Sequence, residues 1–474
     1  MQPNRFRALL GRRRRWRVGA FFCLPLFAAV TLPGLAPALG QTLDDTVRAA
    51  LRSNPDVLIA RDDRRIAEQE RRQAEGGYYP LLDLRGATGI EQSSTPSLRN
   101  QSGTDPVLWR NESGITVRQN LFDGFTTDGE VQRGKAREAA AGERVRVSAN
   151  TIALAAIEAH LEVLRNRELV RLAQDNVDSH QEIIGRARAR AGLDENQPTP
   201  ERSAGLGRGD TTELPRAEAR LLGARAALQQ ARGRLRDAEA TFTRVVGVRP
   251  STLSPVAPLR ADLPKSDEEA FGRAMDRSPA IRAANKDIEA AQGELQQADG
   301  RFLPRVDLEL GANRNKNIDG ATGMNNDATA MMVLRYNLYA GGADVARRRA
   351  ALERISRAKN AVQQTRRNLE QETQLSWNAM TTALERLPIL QDQVRQSTSA
   401  RENYRTQFEV GRKTVIDLLD AEADYSGSTS GLVTGELTTR FAEYRLLAAT
   451  YGLFQVLGLA DPEIDGAERP AGAR

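Results

Sequence analysis

Two stretches of this 474-residue chain repeat one another in order and spacing, and that duplication restricts the fold more than any other feature. Ala50-Leu51-Arg52-Ser53-Asn54-Pro55, followed by Tyr79-Pro80-Leu81-Leu82-Asp83-Leu84, reappears as Ala274-Met275-Asp276-Arg277-Ser278-Pro279, followed by Leu303-Pro304-Arg305-Val306-Asp307-Leu308, at a constant offset of 224. Further on, Gly207-Arg208 with Glu213-Leu214 and Ala217-Glu218-Ala219 matches Gly411-Arg412 with Asp417-Leu418 and Ala421-Glu422-Ala423, at an offset of 204. Two halves therefore share one plan: a short helix, two strands joined by a polar loop, a very long helix reaching a glycine turn, and a return helix. We place the first repeat at residues 41–263 and the second at 264–461, with a leader at 1–40 and a tail at 462–474.

The long helix is the plainest element. Asp128 to Gln197 holds no proline and is rich in Ala, Arg, Glu, Leu and Gln, all good helix formers. Sixty such residues extend about 90 Å. Apolar positions run Ala149, Ile152, Ala156, Ala159, Val163, Asn166, Val170, Ala173, Val177, His180, Ile184 in alternating steps of three and four, as a coiled-coil seam does. A second seam, Leu154, Ile157, Leu161, Leu164, lies on nearly the opposite side. A helix adhesive on two sides takes two neighbours, which suits the wall of a tube; an ordinary buried bundle helix is the alternative.

The strands alternate. Val306, Leu308, Leu310 and Ala312 interleave with Asp307, Glu309, Gly311 and Asn313, and Met332, Leu334, Tyr336 and Leu338 with Val333, Arg335 and Asn337. Weaker versions run through Leu82, Leu84, Gly86, Thr88, Ile90 and through Ile115, Val117, Gln119, Leu121, and the expected loops are Glu91–Asn111 and Arg314–Thr329. This pattern fits a soluble sheet over a core or a membrane barrel with lipid outside and water inside. If the strands lie in lipid, four are too few to close, because an open edge leaves backbone groups unhydrated. Three copies giving twelve strands is the simplest symmetric closure.

The N-terminus bears Arg5, Arg7, Arg12 to Arg15 and Arg17, an apolar stretch from Val18 to Leu32, and small residues up to Gly40. That is a secretory signal with cleavage near Gln41; a retained anchor is disfavoured by Pro25 and Pro33 and by a length short of about 20 residues. The formal charge of +6 includes seven arginines and no acid from this segment, so the mature chain carries −1. A basic balance pointing to nucleic acid thus disappears on processing. The one cysteine, Cys23, lies in the leader without the small preceding residue of a lipoprotein site, so the mature chain has no thiol.

No catalytic constellation emerges. His160 and His180 stand about 30 Å apart along one helix, and His180 falls in the apolar seam. There is no cysteine nucleophile, Walker-type loop or zinc spacing. We expect no enzyme, no cofactor and no metal site, and any work the chain takes part in draws its energy from a partner.

The layout closely resembles the TolC-like outer membrane efflux protein family over essentially the whole mature chain. The resemblance rests on Asn54-Pro55 and Ser278-Pro279, Tyr79-Pro80 and Leu303-Pro304, Leu121-Phe122-Asp123-Gly124 echoed by Leu338-Tyr339-Ala340-Gly341-Gly342, and the ending Tyr444-Arg445-Leu446-Leu447-Ala448-Ala449 with Leu457-Gly458-Leu459. It implies a mainly α fold with a β-barrel portion: a homotrimer with a twelve-stranded outer-membrane barrel and a long helical periplasmic tube. Such a duct works in outer-membrane lipid with a periplasmic membrane-fusion adaptor and an inner-membrane ABC transporter or proton-driven pump. Within the family the chain looks most like members serving type I secretion, especially of adhesins; multidrug efflux is the runner-up. A periplasmic coiled-coil structural or adaptor protein is the rival from another class.

The same resemblance nominates residues. In the segment from Phe408 to Ala421 it implies that Asp417 and Asp420 face the axis, where rings of carboxylates repel or bind cations. Thr212, Glu213, Phe408 and Lys413 fall where family members latch the entrance; Phe408 stands for a tyrosine and Lys413 for an arginine, which removes a hydroxyl and a planar fork. Leu206-Gly207-Arg208 and Val410-Gly411-Arg412 resemble tips that meet adaptor hairpins, though any helix reversal favours glycine. The extra segment Leu193–Ser203, with Pro198 and Pro200, departs from the family pattern.

Overall fold

The computed structural model describes residues 40–94, 107–190, 210–257, 259 and 263–460. The expected tail, all of the expected leader except Gly40, the Leu193–Ser203 segment and the Leu206-Gly207-Arg208 tip lie outside the described residues.

Elements follow in the order α1 (Leu43–Ser53), α2 (Pro55–Glu75), β1 (Leu81–Gln92), β2 (Val107–Phe122), α3 (Thr126–Arg190) and α4 (Asp210–Val246). The order then repeats as α5 (Asp267–Arg277), α6 (Pro279–Gly300), β3 (Arg305–Lys316), β4 (Met324–Arg335), α7 (Ala343–Glu409) and α8 (Val415–Ala449), closing on the single turn α9 (Leu453–Val456). The duplicated dipeptides explain why the expected single short helix is two. Asn54 Oδ1 accepts from the Asp56 amide at 3.0 Å and Ser278 Oγ from the Ile281 amide at 3.3 Å. Each is thus an N-cap with proline at the first helical position, where no amide partner is needed.

Helix α3 runs 65 residues, about 98 Å. Both expected seams are covered: Ala149, Ile152, Ala156, Ala159, Val163, Asn166, Val177, His180 and Ile184 are buried, as are Ile157 and Leu161 opposite. Its neighbours are α6, α4, α2 and α8. Against α6 the approach is backbone to backbone, since a Cβ on Gly129 would lie 2.8 Å from the Gly293 carbonyl oxygen and one on Gly293 2.7 Å from that of Gly129. The largest apolar core joins α1, α3, α4, α8 and α9 through Val47, Ile157, Phe242, Val246, Leu447 and Leu453. A smaller one near the α7–α8 turn holds Ile183, Ile184, Ala217, Phe408, Val415, Leu418 and Leu419.

The four strands form one antiparallel meander, β1-β2-β3-β4. They reach further into the polar segments than the alternation suggested. β2 starts at Val107, β3 continues to Lys316 and β4 starts at Met324, so most of the expected loop Arg314–Thr329 is hairpin, while Tyr336–Leu338 lie beyond the end of β4. Backbone ladders do not require apolar side chains. Here Asn313 Nδ2 donates to Asp327 Oδ2 at 2.8 Å across β3 and β4, and such polar pairs sustain a strand that reads as a loop by composition.

Candidate functional site

Register sorts the sheet into two unlike faces. One face carries rows such as Leu82–Val117–Leu310–Ala330 and Leu84–Ile115–Ala312–Ala328. It stands open: Leu84 is 84% exposed, Met332 73% and Leu334 66%. Among the described residues no helix covers it, and both outer strands, β1 and β4, have a free edge. An uncovered apolar face with unpaired edges is unstable in water. At the helix-proximal end, the exposed aromatics Tyr78, Tyr79, Phe125, Phe302, Tyr336 and Tyr339 flank the strand ends, the position of an interfacial girdle.

The opposite face is charged and internally paired. Arg110 bonds Glu91 at 2.6 Å and also Glu112, Arg118 meets Glu309 at 3.3 Å, and Arg335 bonds Glu309 at 2.7 Å. Asp307, fully buried, accepts from Arg335 at 2.6 Å and Arg305 at 2.9 Å, which pins β3 to β4 beside the helices. Balanced ion pairs of this kind suit a hydrated surface rather than a hydrocarbon one.

At the other end of the helices, α7 stops in a Schellman turn. The Gly411 amide donates to the Phe408 carbonyl at 3.0 Å and the Arg412 amide to that of Gln407 at 2.8 Å, with Gly411 at φ +75°. Val410, 67% exposed, projects from this turn. Thr414 then caps α8 in a reciprocal box: its hydroxyl accepts from the Asp417 amide at 3.2 Å, and Asp417 Oδ2 accepts from the Thr414 amide at 3.1 Å. Lys413 Nζ lies 4.0 Å from Asp417 Oδ2 and 4.7 Å above the Tyr404 ring. Asp420, half exposed, receives Arg220 of α4 at 2.8 Å. Phe408 is buried in the apolar core of the tip. Glu213 Oε2 is enclosed with no hydrogen-bond partner among the described residues, and Thr212 lies in the first turn of α4. The structure thus brings Lys413 to Asp417, and it brings no ion pair between Lys413 and Glu213 among the described residues.

A family model for the outer membrane efflux protein matches residues 46–248 and 270–450. The chain belongs to this family. It is similar to the outer membrane efflux protein BepC of Brucella suis biovar 1, 29% identical over 427 residues that cover 90% of this chain and 88% of that one. It is also similar to the alkaline protease secretion protein AprF of Pseudomonas aeruginosa, 23% identical over 86% of this chain and 82% of AprF. The solved CmeC outer membrane channel of Campylobacter jejuni shares the fold, with a TM-score of 0.72 at 13% identity over 87% of this chain and 86% of that one. This outer membrane efflux protein therefore lies in the outer membrane, with its sheet as the membrane portion and its long helices extending into the periplasm.

Three features of the efflux protein's sites escape the sequence. Arg220, the partner of Asp420, lies 200 residues away in a helix studded with arginines. Arg405 meets Glu182 at 3.4 Å and Arg186 meets Glu409 at 3.5 Å, tying α3 to α7 near the tip. The Arg305–Asp307–Arg335 clamp had half a signal, since a carboxylate and an arginine recur on one face of β3 and β4.

Proposed function

We propose that three copies of this chain close one twelve-stranded barrel, β4 of each pairing with β1 of the next, above a periplasmic tube of long helices. The observation that carries this is the four-stranded sheet with both edges open and its apolar face uncovered. Four strands cannot seal against lipid, and pairing with identical copies satisfies every edge at once. The leader of residues 1–40 is removed near Gln41, and the repeats at 41–263 and 264–461 supply equivalent halves of the wall.

The duct is passive and takes its cargo from an inner-membrane ABC transporter through a periplasmic membrane-fusion adaptor. Its role is type I secretion of proteins. The relationship to AprF, named for alkaline protease secretion, supports a protein cargo. The second reading, efflux of small toxic compounds with a proton-driven pump, is favoured by the greater identity to BepC, named an efflux protein. In either role Asp417 and Asp420 ring the periplasmic entrance, Thr212, Glu213, Phe408 and Lys413 contribute to its latch, and Leu206-Gly207-Arg208 and Val410-Gly411-Arg412 are the adaptor contacts.

Deleting the gene and comparing secreted proteins with drug tolerance tests the choice. Loss of a secreted protein with unchanged tolerance is the expected result; intact secretion with lost tolerance reverses it. The barrel reading is checked separately, by extracting the outer membrane without heat and seeking a trimer band that boiling converts to monomer. A water-soluble monomer released by osmotic shock would end that reading.

A further inference from the structure

The apolar face of the sheet is broken by a polar band near the end far from the helices. On β3 the residues Val306, Leu308, Leu310 and Ala312 share that face, and the next two positions on it are Arg314 and Lys316. Eight residues separate Val306 from Arg314, about 26 Å along a strand, close to the roughly 25 Å height of the apolar band on an outer-membrane barrel. The break falls in one register across the sheet, and the exposed apolar side chains at or beyond it are Ile90, Val107, Trp109 and Met324. Leu84–Ile115–Ala312–Ala328 is followed by Gly86–Ser113–Arg314–Asn326 and then by Thr88–Asn111–Lys316–Met324. Trp109, 58% exposed, stands beside this rim, where an indole marks an interface.

Charge pairing separates these two cations from the rest of the sheet. Arg85, Arg110, Arg118, Arg305 and Arg335 all lie on the polar face and each has a carboxylate partner. Arg314 and Lys316 are exposed, have no ion pair among the described residues, and share their two rows with no carboxylate. Small neighbours, Gly86 and Ser113, leave space around Arg314. Unpaired cations on a lipid-facing surface are costly at the membrane midplane and cheap at the headgroups, so this rim sits at headgroup level. The helices leave from the opposite end of the sheet, towards the periplasm, which puts the rim in the outer leaflet.

We propose that Arg314 and Lys316 form a binding site for the phosphate groups of the anionic glycolipid of the outer leaflet. An arginine fork and a lysine ammonium, two residues apart on one strand face, suit a phosphate on a sugar headgroup, while Leu310, Ala312 and the adjoining apolar rows accept its acyl chains. The site occurs once per chain and rests on the barrel reading above, since it needs this face to meet lipid.

The test uses the intact trimer in zwitterionic micelles, with diphosphorylated lipid A as probe and native mass spectrometry as readout. Wild type is expected to retain lipid A, and Arg314→Gln with Lys316→Gln to bind it roughly tenfold more weakly, while Arg85→Gln on the polar face leaves binding unchanged. Dephosphorylated lipid A and inorganic phosphate alone should both bind more weakly than the probe, and Arg314→Lys with Lys316→Arg should restore retention. If the double glutamine variant does not trimerise, the comparison of phosphorylated with dephosphorylated lipid A on wild type decides alone. A heat-modifiable double variant that retains lipid A like wild type overturns the site, and so does equal binding of the dephosphorylated lipid or of free phosphate. A wild-type chain that gives no trimer overturns the barrel reading instead, and the lipid site with it.

Discussion

Arg220 on α4 and Asp420 on α8 meet at 2.8 Å, so the carboxylate nominated for the entrance is already held by a cation from the neighbouring hairpin of its own chain. Both side chains are about half exposed, and a pair of this kind contributes roughly 0.2–1 kcal/mol. In the proposed ring its larger effect is on the charge offered to the passage. Arg220→Ala leaves Asp420 without its partner, and multivalent cations should then block the channel in planar bilayers at lower concentration than in wild type. Asp417→Ala combined with Asp420→Ala should weaken the block, and unchanged block in that double variant would refute the ring.

Asp417 has a second task that confuses a simple alanine test. It completes the capping box of α8 with Thr414, so Asp417→Ala removes a cap as well as a charge. Asp417→Asn keeps an oxygen for the Thr414 amide and loses only the charge. We expect Asp417→Asn to weaken cation block with little change in thermal stability. Thr414→Ala should do the reverse, costing about 1 kcal/mol locally. A melting loss in Asp417→Asn as large as that in Thr414→Ala would show that the carboxylate charge stabilises the turn as much as the cap does.

His160 gives the fold a dependence on pH. Its ring is fully buried, with Nδ1 2.9 Å from the Thr46 hydroxyl and Nε2 3.2 Å from the Ser254 carbonyl. The carbonyl can only accept, so Nε2 carries the proton of the neutral ring, and the single Thr46 hydroxyl hydrogen is shared between Nδ1 and the Thr42 carbonyl, 3.0 Å away. Burial is the main cause that lowers the His160 pKa; the Ser254 carbonyl opposes it, and Arg167 adds to the lowering. The unfolded chain therefore binds the proton more readily. Stability is fully present above the ordinary histidine value of about 6.5 and declines as pH falls from there towards the folded value. His180, lowered chiefly by burial, adds in the same direction. The apparent Tm of the protein should drop between pH 7.5 and pH 5.5, and His160→Gln should shrink the drop; an identical drop in the variant would exclude His160 as a source.

Much of this was readable from the chain because the signals were local or duplicated. The pairs Asn54-Pro55 and Ser278-Pro279 announce the duplication but not the break between two helices where one was expected, and the Ala149-to-Ile184 seam repeats often enough to specify a two-sided helix. The strand ends were misread because Asn315, Asn325 and Asn326 carry no apolar signal, yet their backbones continue the ladder. Near the tip of the helices, the sequence points to Asp420 but not to Arg220, since an ion pair between helices far apart in the chain leaves no periodic trace.

The meeting of Gly129 and Gly293 is of the same silent kind, because nothing in either half announces that α3 and α6 touch through their backbones. A methyl on Gly293 would lie 2.7 Å from the Gly129 carbonyl oxygen and 2.8 Å from the Arg133 amide nitrogen, and neither is a side chain that can swing aside. Gly293 shows no positive φ, so alanine suits its conformation and gains slightly in helix propensity; the clash alone decides the sign. Overpacking of this kind costs about 1–3 kcal/mol. Gly293→Ala should therefore lower the apparent Tm of the protein, whereas Gly272→Ala in α5, where a methyl meets nothing within 4 Å, should hold or raise it. The two variants differ in site and not in chemistry, so equal melting temperatures would mean that α3 and α6 do not approach this closely in the membrane-embedded protein.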